Sequence, residues 1–292
     1  MTTIGLISPG EMGHAIGAVL NHHGARVITN LTGRGERTAQ RAKRAGIVDV
    51  RDDTTLVSES DVLLSVLAPA LATSIAERMV AALNTSGSSL LYVDCNAIAP
   101  QTVRPIETLL TQAGSRFVDV GIVGGPPPID APGPRLYASG PGADELATLS
   151  DLGLDIRVIG PTSGQASGLK MCYGGLTKGL NALATEILVA GQSMGLEEAL
   201  LAELGDSQSA LLSWMERQIP TMPAKSARWV GEMLEVASTF DALGLPPQIH
   251  QGAAALFEWI ADVKPDGDLG PKYETWRTAG EVTRDLASKL ST

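Results

Sequence analysis

Lys170 lies in the run Ser163–Gly175, SGQASGLKMCYGG, just past the middle of this 292-residue chain. A lysine ammonium that is partly shielded from water can donate a proton to a reacting group and take one back. Most lysines instead lie exposed on a helix and take no part in chemistry. Which interpretation holds for Lys170 depends on what the rest of the chain places beside it.

A glycine turn opens the chain. Thr3–Ile7 is a short apolar run typical of a buried strand, and apolar residues recur at helical spacing after the turn Ser8–Gly13. This strand, turn and helix match the dinucleotide fingerprint G-x-G-x-x-G imperfectly, with Ser8 at the first glycine position and Gly10 and Gly13 at the others. Free N–H groups at a helix N-terminus favour a pyrophosphate. We predict a dinucleotide site, rather than a turn without a ligand, that uses Ser8, Pro9, Gly10, Glu11 and Met12.

The segment after the second predicted strand, Arg26–Asn30, bears on the choice of cofactor. Sites that prefer NAD(H) commonly carry an acidic residue at the end of this strand, to bind the ribose hydroxyls. Here the strand ends at Asn30, and Thr32, Arg34 and Arg37 follow. A hydroxyl and two guanidinium groups suit a 2′-phosphate, which favours NADP(H) over NAD(H). The alternative is that these residues bind no phosphate and form the basic, solvent-exposed start of the next helix.

Strands alternate with helices up to about residue 160, which predicts right-handed crossovers and a mainly parallel sheet. The predicted strands are Thr3–Ile7, Arg26–Asn30, Ile47–Val50, Asp61–Val66, Ser89–Asp94, Arg116–Val120, Arg135–Ser139 and Ile156–Ile159. The helices between later strands are Thr38–Ala45, Leu71–Leu83, Pro100–Gly114 and Asp144–Leu152. Ligands of such sheets bind at the carboxyl ends of the strands, here the Ser8 turn, Asn30, Leu67, Cys95 and Gly121.

After Gly160–Pro161 the strand pattern stops and only helical periodicity remains. The predicted helices are Gly164–Gly195, Glu197–Glu203, Ser207–Gln218, Ser226–Leu243, Pro247–Val263 and Tyr273–Leu290. The fold class is therefore an α/β N-terminal domain of Rossmann type with a mainly parallel sheet, followed by an all-α C-terminal domain. We place the cofactor domain at residues 1–162 and a helical substrate and dimerisation domain at residues 163–292.

Composition and charge exclude several function classes. The net charge of −10 disfavours nucleic acid, because a polyanion is repelled by an acidic surface. No segment has the roughly 18 uninterrupted apolar residues that a membrane span needs, and the N-terminus does not have the pattern of a signal peptide. The cysteines, Cys95 and Cys172, have neither disulfide nor zinc spacing. We expect a cytoplasmic protein that binds a small molecule, with no membrane, nucleic acid or metal partner.

Four segments, taken in order, resemble the β-hydroxyacid dehydrogenase superfamily. They are Ile4–Gly13, Tyr92–Pro100, Asp119–Gly125 and Gly164–Gly174. The superfamily includes 3-hydroxyisobutyrate and 6-phosphogluconate dehydrogenases, with the imine reductases as relatives, and this chain is similar to a divergent branch with a distinctive helical second domain. The resemblance implies reversible oxidation of a hydroxyl next to a carboxylate-bearing carbon, and a homodimer formed largely by the helical domains.

The resemblance also assigns roles to residues. Lys170 takes the position of the catalytic lysine that assists proton transfer. Further expected cofactor contacts are Leu67, Ala68 and Asn96. The expected substrate contacts are Ile122, Val123, Gly124, Gly125, Tyr173, Gly174, Trp229 and Glu232.

The chain departs from the family pattern at three positions. Gly174 replaces an asparagine, Val123 replaces a serine, and Gly231 replaces a lysine that precedes an acidic residue, here Glu232. The backbone N–H groups of the glycine block still suit an anion. These losses suggest a substrate that is larger or less anionic than a small hydroxy acid. The candidate apolar residues lining the substrate pocket are Val123, Tyr173, Trp229 and Met233. A core role fits Trp229 and Met233 equally well.

Three hypotheses follow from these residues. The first is an NADP(H)-dependent oxidoreductase for a hydroxyl/carbonyl pair, with Lys170 as general acid and base. The second is an imine reductase, although a lysine cation facing an iminium is unfavourable. The third is a non-catalytic NADP(H)-binding protein.

Overall fold

The computed structural model describes residues 1–263 and 277–290. By its contacts the chain divides into two compact units, Met1–Met171 and Cys172–Thr292. The predicted boundary near residue 162 lies just before a long helix, and this division falls inside that helix. Among the described helices, none combines the length and the apolar character needed to cross a membrane.

The first unit is built on an eight-stranded sheet. Its strands are β1 (Thr3–Ile7), β2 (Arg26–Thr29), β3 (Val48–Asp49), β4 (Val62–Ser65), β5 (Leu91–Asp94), β6 (Arg116–Val123), β7 (Arg135–Ser139) and β8 (Asp155–Gly160). They lie in the order β3-β2-β1-β4-β5-β6-β7-β8, and only the β6–β7 pair is antiparallel. This confirms the predicted α/β class with a mainly parallel sheet.

Helices cover both faces of this sheet because the side chains of its strands alternate between two apolar cores. The helices of this unit are α1 (Glu11–His22), α2 (Glu36–Arg44), α3 (Asp53–Glu59), α4 (Ala72–Ser86), α5 (Pro100–Gln112) and α6 (Ala143–Ala147). Leu6 packs with Ile16 of α1 on one face, whereas Tyr92 packs with Ile106 of α5 on the other. The strand ends are thereby fixed on both sides, which holds the loops that follow them.

Three predictions about this unit were wrong in detail. Helix α3 was missed because it is short and buries only Leu56 and Val57, too few residues for a visible period. The predicted helix Asp144–Leu152 divides into α6 and a 3₁₀ turn. Gly121 is not a strand end, because β6 continues to Val123 and pairs there with β7.

The second unit is helical throughout its described residues, as predicted. It contains most of α7 (Gln165–Ser193), then α8 (Glu197–Ser207), α9 (Ser209–Gln218), α10 (Ser226–Ala242), α11 (Gln248–Val263) and α12 (Ala279–Ser288). α7 is unbroken despite its glycines; at Gly175 a Cβ would lie 3.1 Å from Val236 and 3.2 Å from His250, so the glycine allows close packing on α10 and α11. α12 begins after a capping box at Thr278, and the part of the predicted helix Tyr273–Leu290 before residue 277 lies outside the described residues.

Two buried carboxylates lie side by side at the carboxyl end of the sheet. Asp94 on β5 and Asp119 on β6 are register partners, and each is 1% exposed. Burial, with a smaller contribution from the charge of Asp119, raises the pKa of Asp94 to about 7. One oxygen of Asp94 accepts the backbone N–H of Asn96, but Oδ2 has no partner in the described part of the chain. Asp94 is therefore held in an environment that favours its protonated form.

Asp94 should make the protein less stable as the pH rises from about 4 to about 7. In that window the folded chain keeps a proton that the unfolded chain has lost, so the free energy of unfolding falls with pH, by at most about 1.4 kcal/mol per pH unit. Asp94→Asn, which resembles the protonated form, should remove this part of the slope. Urea unfolding at about pH 5 and about pH 8 measures it, with the exposed Asp151→Asn as control. Equal slopes in wild type and Asp94→Asn would contradict the assignment.

Candidate active site

The turn after β1 has the geometry of a phosphate cradle. Ser8 is left-handed, with φ of 65°, a conformation that glycine adopts more easily, which explains why glycine is usual at this position. The Gly10 N–H donates to the Ser8 carbonyl at 2.7 Å, and no side chain caps α1. At Gly13 a Cβ would lie 2.7 Å from the Ser8 carbonyl oxygen, so only glycine allows this close turn. Uncapped N–H groups at the start of α1 fit a pyrophosphate.

The remaining residues of this turn differ in what they offer a ligand. Glu11 lies in the first turn of α1, where the helix dipole itself favours a carboxylate. The side chain of Met12 packs against the apolar core, so we expect its backbone to serve a ligand. Pro9 lies between Ser8 and Gly10 at the apex of the turn.

The residues after β2 are tied to the loop after β3. Asn30 accepts the backbone N–H of Thr32 at 2.9 Å and donates to Asp53 at 2.8 Å. Thr32 Oγ1 donates to the carbonyl oxygen of Arg51 at 2.6 Å. The side chain of Asn30 is thus occupied in holding the loop, and the Thr32 hydroxyl keeps only its acceptor capacity.

Three arginines belong to this region. Arg34 is half-buried, whereas Arg37 at the start of α2 and Arg51 are exposed. Sequence reasoning missed Arg51, because the loop after β3 lies far from Thr32 in the chain. The only available signal was its position directly after a third short strand.

Asn96 joins the ends of β4 and β5. Its Oδ1 accepts the Leu67 N–H at 2.7 Å, and its Nδ2 donates to Ser65 Oγ at 3.1 Å. Asn96 is 1% exposed, so its side chain fixes the loop rather than facing outward. Leu67 is half-buried and Ala68 is exposed. Of the three cofactor contacts predicted here, these two are therefore accessible at the strand end.

Asp119 anchors the N-terminus of α7 to the sheet. Its Oδ2 accepts the backbone N–H groups of Gly164 and Ser167, each at 2.9 Å, and its Oδ1 accepts the Ser167 hydroxyl at 2.6 Å. Ser139, its register partner on β7, accepts the Ala166 N–H at 2.9 Å. Burial raises the pKa of Asp119, and the hydrogen bonds from Ser167, Ser139 and Gly164 oppose that rise. Two strands therefore cap the helix in place of its own residues.

This anchor places Lys170 beside β6. The Lys170 Nζ donates to the Ile122 carbonyl oxygen at 2.8 Å, and the side chain is half-buried. α7 approaches the strand closely at Gly121, where a Cβ would lie 2.6 Å from the Ala166 carbonyl oxygen and 3.1 Å from Lys170 Cβ. The ammonium is thus fixed at the start of the predicted substrate block.

The substrate block itself is partly covered. Ile122 and Val123 are each 5% exposed, whereas Gly124 and Gly125 are exposed. Gly124 has φ of 134° and packs on Pro134, so its conformation requires glycine. The structure brings Lys170 and this block together, and the backbone of the two glycines is the accessible part.

The predicted substrate residues of the second unit have different surroundings. Tyr173 is 49% exposed on α7, and Gly174 is buried. Trp229 is in the core of this unit, with its ring 5.2 Å from that of Phe257, and Met233 is fully buried there. Trp229 and Met233 therefore pack as core residues of the second unit.

Glu232 forms a buried ion-pair cluster that sequence reasoning missed. Its Oε2 lies 3.0 Å from Lys178 Nζ and its Oε1 lies 2.7 Å from Arg228 Nη1. Lys178 follows Gly174 by one helical turn, and that spacing was the available signal.

Comparison with known proteins agrees with this geometry. Residues 3–144 match the model of the NAD binding domain of 6-phosphogluconate dehydrogenase, and residues 192–260 match a domain of unknown function, DUF1932. A curated relative, an uncharacterized 28.5 kDa protein of Methanothermus fervidus, is 30% identical over 205 residues, which cover 70% of this chain and 77% of the relative.

Solved structures share the fold over nearly the whole chain. A conserved hypothetical protein from Sinorhizobium meliloti is 25% identical, with a TM-score of 0.72 over 99% of this chain and 97% of that chain. A 3-hydroxyisobutyrate dehydrogenase of Mycobacterium tuberculosis, solved with L-serine, is 19% identical, with a TM-score of 0.71 over 92% and 97%. An imine reductase of Myxococcus stipitatus in complex with NADP+ is 20% identical, with a TM-score of 0.54 over 89% and 93%.

The first unit is thus an NAD(P)-binding domain, and the family is one of dehydrogenases and reductases, which supports an oxidoreductase. With its glycine turn, its anchored lysine helix and its helical second unit, the chain belongs to the β-hydroxyacid dehydrogenase-like superfamily.

Proposed function

We propose that this protein is an NADP(H)-dependent oxidoreductase that interconverts a hydroxyl and a carbonyl group, with Lys170 as general acid and base. The observation that carries the proposal is the 2.8 Å hydrogen bond from Lys170 Nζ to the Ile122 carbonyl oxygen. It fixes a half-buried ammonium on Ile122, two residues before the exposed backbone of Gly124 and Gly125.

Lys170 handles the proton in this mechanism. A nicotinamide cofactor held at the Ser8–Gly13 turn would supply the hydride for reduction and would accept it in oxidation. During reduction the Lys170 ammonium donates a proton to the carbonyl oxygen, and during oxidation the neutral amine takes the hydroxyl proton. Asp119 and Ser139 hold the first turn of α7, so they position Lys170 without touching the substrate.

The N–H groups of Gly124 and Gly125 suit a negatively charged oxygen of the substrate. Val123 is buried and apolar, so it offers no hydroxyl to a carboxylate at this point. The substrate we infer is consequently different from a small hydroxy acid held by a serine, either larger or less anionic.

Arginines around the end of β2 support NADP(H) over NAD(H). The residue at the end of β2, Asn30, is neutral, and its side chain is held by hydrogen bonds within the loop. The strand therefore ends without a carboxylate that could bind the ribose hydroxyls. Arg34, Arg37 and Arg51 supply guanidinium groups whose planar fork matches a phosphate dianion. The hydrogen bond from Thr32 to the Arg51 backbone brings the two loops together.

Imine reduction is the second candidate. It is favoured by the apolar Val123 and by the exposed Tyr173, whose hydroxyl is uncharged, can donate a hydrogen bond and does not repel an iminium. The fixed cation of Lys170 argues against it, so we rank hydroxyl/carbonyl chemistry first. A non-catalytic NADP(H)-binding protein is the remaining alternative.

We also infer a homodimer formed by the helical unit. Leu176 and Leu183 on α7 are 70% and 52% exposed, and Ile249 on α11 is 76% exposed. Leu176 and Leu183 are seven residues apart and so share one stripe of the helix. An apolar surface of this kind is typical of an interface, and a second copy of the chain supplies a matching one.

Lys170→Ala should lower kcat by about 10²–10⁴-fold, because the proton-transfer group is lost, while NADPH affinity stays unchanged. The measurement is NADPH oxidation with a panel of aldehydes and ketones, with and without amine donors, and the exposed Lys43→Ala is the control. Near-full turnover in Lys170→Ala would contradict the role of Lys170. Activity only with amines would establish imine reduction, and no hydride transfer to any acceptor would leave only a binding function.

The double variant Arg34→Gln/Arg51→Gln should weaken NADPH binding about tenfold or more, because each arginine loses a charge-assisted hydrogen bond to the 2′-phosphate. NADH binding should not change. Calorimetric dissociation constants for both cofactors test this, with exposed Arg44→Gln on α2 as control. An equal effect on both cofactors, or none on NADPH, would refute the preference.

The wild-type protein should sediment as a dimer at micromolar concentration, and Leu176→Glu/Leu183→Glu should sediment as a monomer, because charges are costly in an apolar interface. Ala199→Glu, on the exposed face of α8, serves as the matched control and should stay dimeric. A monomeric wild type would exclude this assembly.

A further inference from the structure

The connection between β6 and β7 forms a pocket at the end of the substrate block. Residues 124–134, the proline loop, join the two strands, and its five prolines are Pro126, Pro127, Pro128, Pro132 and Pro134. An open pocket of about 380 Å³ has Gly124, Gly125 and Arg135 in its lining. The described lining belongs to the first unit, Met1–Met171, which also contains Lys170.

The proline loop is folded back on itself and is stiff. A Cβ built on Gly124 would lie 2.9 Å from Pro134 Cβ, and one built on Gly133 would lie 3.0 Å from Pro127 Cβ. These contacts hold the two arms of the loop together, and each proline ring fixes the φ of its own residue. Because the walls of the pocket are already in place, a ligand loses little affinity to ordering them.

Arg135 lies on the face of the sheet that α7 covers at Lys170. Residues directly opposite each other on neighbouring strands share a face, and Arg135 is the register partner of Val123. Gly121, two residues before Val123, is on the same face, and a Cβ built there would lie 3.1 Å from Lys170 Cβ. Arg135 is therefore one strand, about 4.8 Å, away from the residue that follows the carbonyl to which Lys170 donates.

The charges around the pocket favour an anion. Arg135 is exposed, and within residues 1–263 and 277–290 it makes no hydrogen bond or ion pair. The carboxylate of its register partner Asp155 instead accepts hydrogen bonds from Arg157, from Nε at 2.9 Å and from Nη2 at 2.8 Å. These hydrogen bonds are the main cause that lowers the pKa of Asp155, and the charge of Arg135 contributes least. Two guanidinium groups and one carboxylate leave one positive charge, which Arg135 presents to the pocket.

We propose that Arg135 determines substrate specificity by binding the carboxylate of a hydroxy or oxo acid whose reacting carbon is served by Lys170. The inference rests on the proposed function. A guanidinium binds a carboxylate through two parallel hydrogen bonds, and the exposed backbone of Gly124 and Gly125 lines the same pocket with further N–H groups. The substrate is then larger rather than less anionic, because its carboxylate is bound one strand beyond Val123.

A solvated surface arginine makes a different prediction from an anion site. An exposed side chain without partners can be replaced with little effect on the protein. If Arg135 binds a carboxylate, Arg135→Gln weakens anion binding. Asp155→Asn should then strengthen it, because Asp155 is the one acidic residue in the described lining of the pocket. The two variants, at positions that are register partners, therefore act with opposite sign.

The first experiment measures glutarate binding in the presence of NADPH by calorimetry. Arg135→Gln should weaken glutarate binding about tenfold or more, and Asp155→Asn should strengthen it. Arg135→Lys, which keeps the charge without the planar fork, should give an intermediate affinity, and the exposed Arg104→Gln on α5 should change nothing. Wild-type binding that Arg135→Gln leaves unchanged, or no binding to the wild type, would overturn the proposal. Thermal melting confirms that each variant is folded.

The second experiment measures oxidation of 4-hydroxybutanoate, 5-hydroxypentanoate and 6-hydroxyhexanoate, and of their methyl esters, with NADP+. Wild type should prefer acids to esters, and Arg135→Gln should remove that preference mainly through KM, whereas Lys170→Ala should lower kcat for both. Equal turnover of acids and esters, or an acid preference that Arg135→Gln keeps, would overturn the role of Arg135 alone. Glutarate binding that depends on Arg135, in a protein that oxidises none of these compounds, would overturn the proposed function and leave the anion site standing.

Discussion

The hydrogen bonds of the Asp119 carboxylate are the constraint on which the candidate site depends. A helix N-terminus has N–H groups without partners, and α7 finds them on β6 and β7 instead of in its own sequence. Since the acceptors are carried by a rigid sheet, both the position and the rotation of the first turns of α7 are fixed. Lys170 can face the Ile122 carbonyl only because this rotation is set three to six residues earlier, at Gly164–Ser167. Burial raises the pKa of Asp119, and these hydrogen bonds oppose that rise.

Glycine allows a close contact at two points, one where β6 meets α7 and one within α7 itself. At Gly121 the strand backbone comes so close to the helix that a methyl group would collide with the Ala166 carbonyl oxygen. At Gly174 the absent side chain gives its space to Lys178. One glycine allows the helix to approach the strand, and the other allows a charge to lie against the helix. The low helical propensity of Gly174 is thus opposed by a contact that a larger residue at this position would not permit.

The sequence alone predicted the parts of the fold that depend on local patterns. Alternating strands and helices, the glycine turn and the long helix were visible because buried strands and amphipathic helices each have a period. Helix α3 had too few apolar residues to show one, and the end of β6 depended on pairing with β7, which no local pattern encodes. Lys170 could be found from its segment, but the Asp119 anchor joins residues about fifty positions apart. Arg51 and Lys178 were missed for the same reason, since their partners belong to other elements.

The departures from the family pattern show why such a site has to be compared in space rather than position by position. Read along the chain, Gly174 and Gly231 are two separate losses, of an amide and of a cation. In the folded protein the first loss makes room for Lys178, and Lys178 pairs with Glu232, the residue that follows the second loss. The two positions are therefore linked in the fold, because the space left at Gly174 and the carboxylate that follows Gly231 both belong to the surroundings of Lys178.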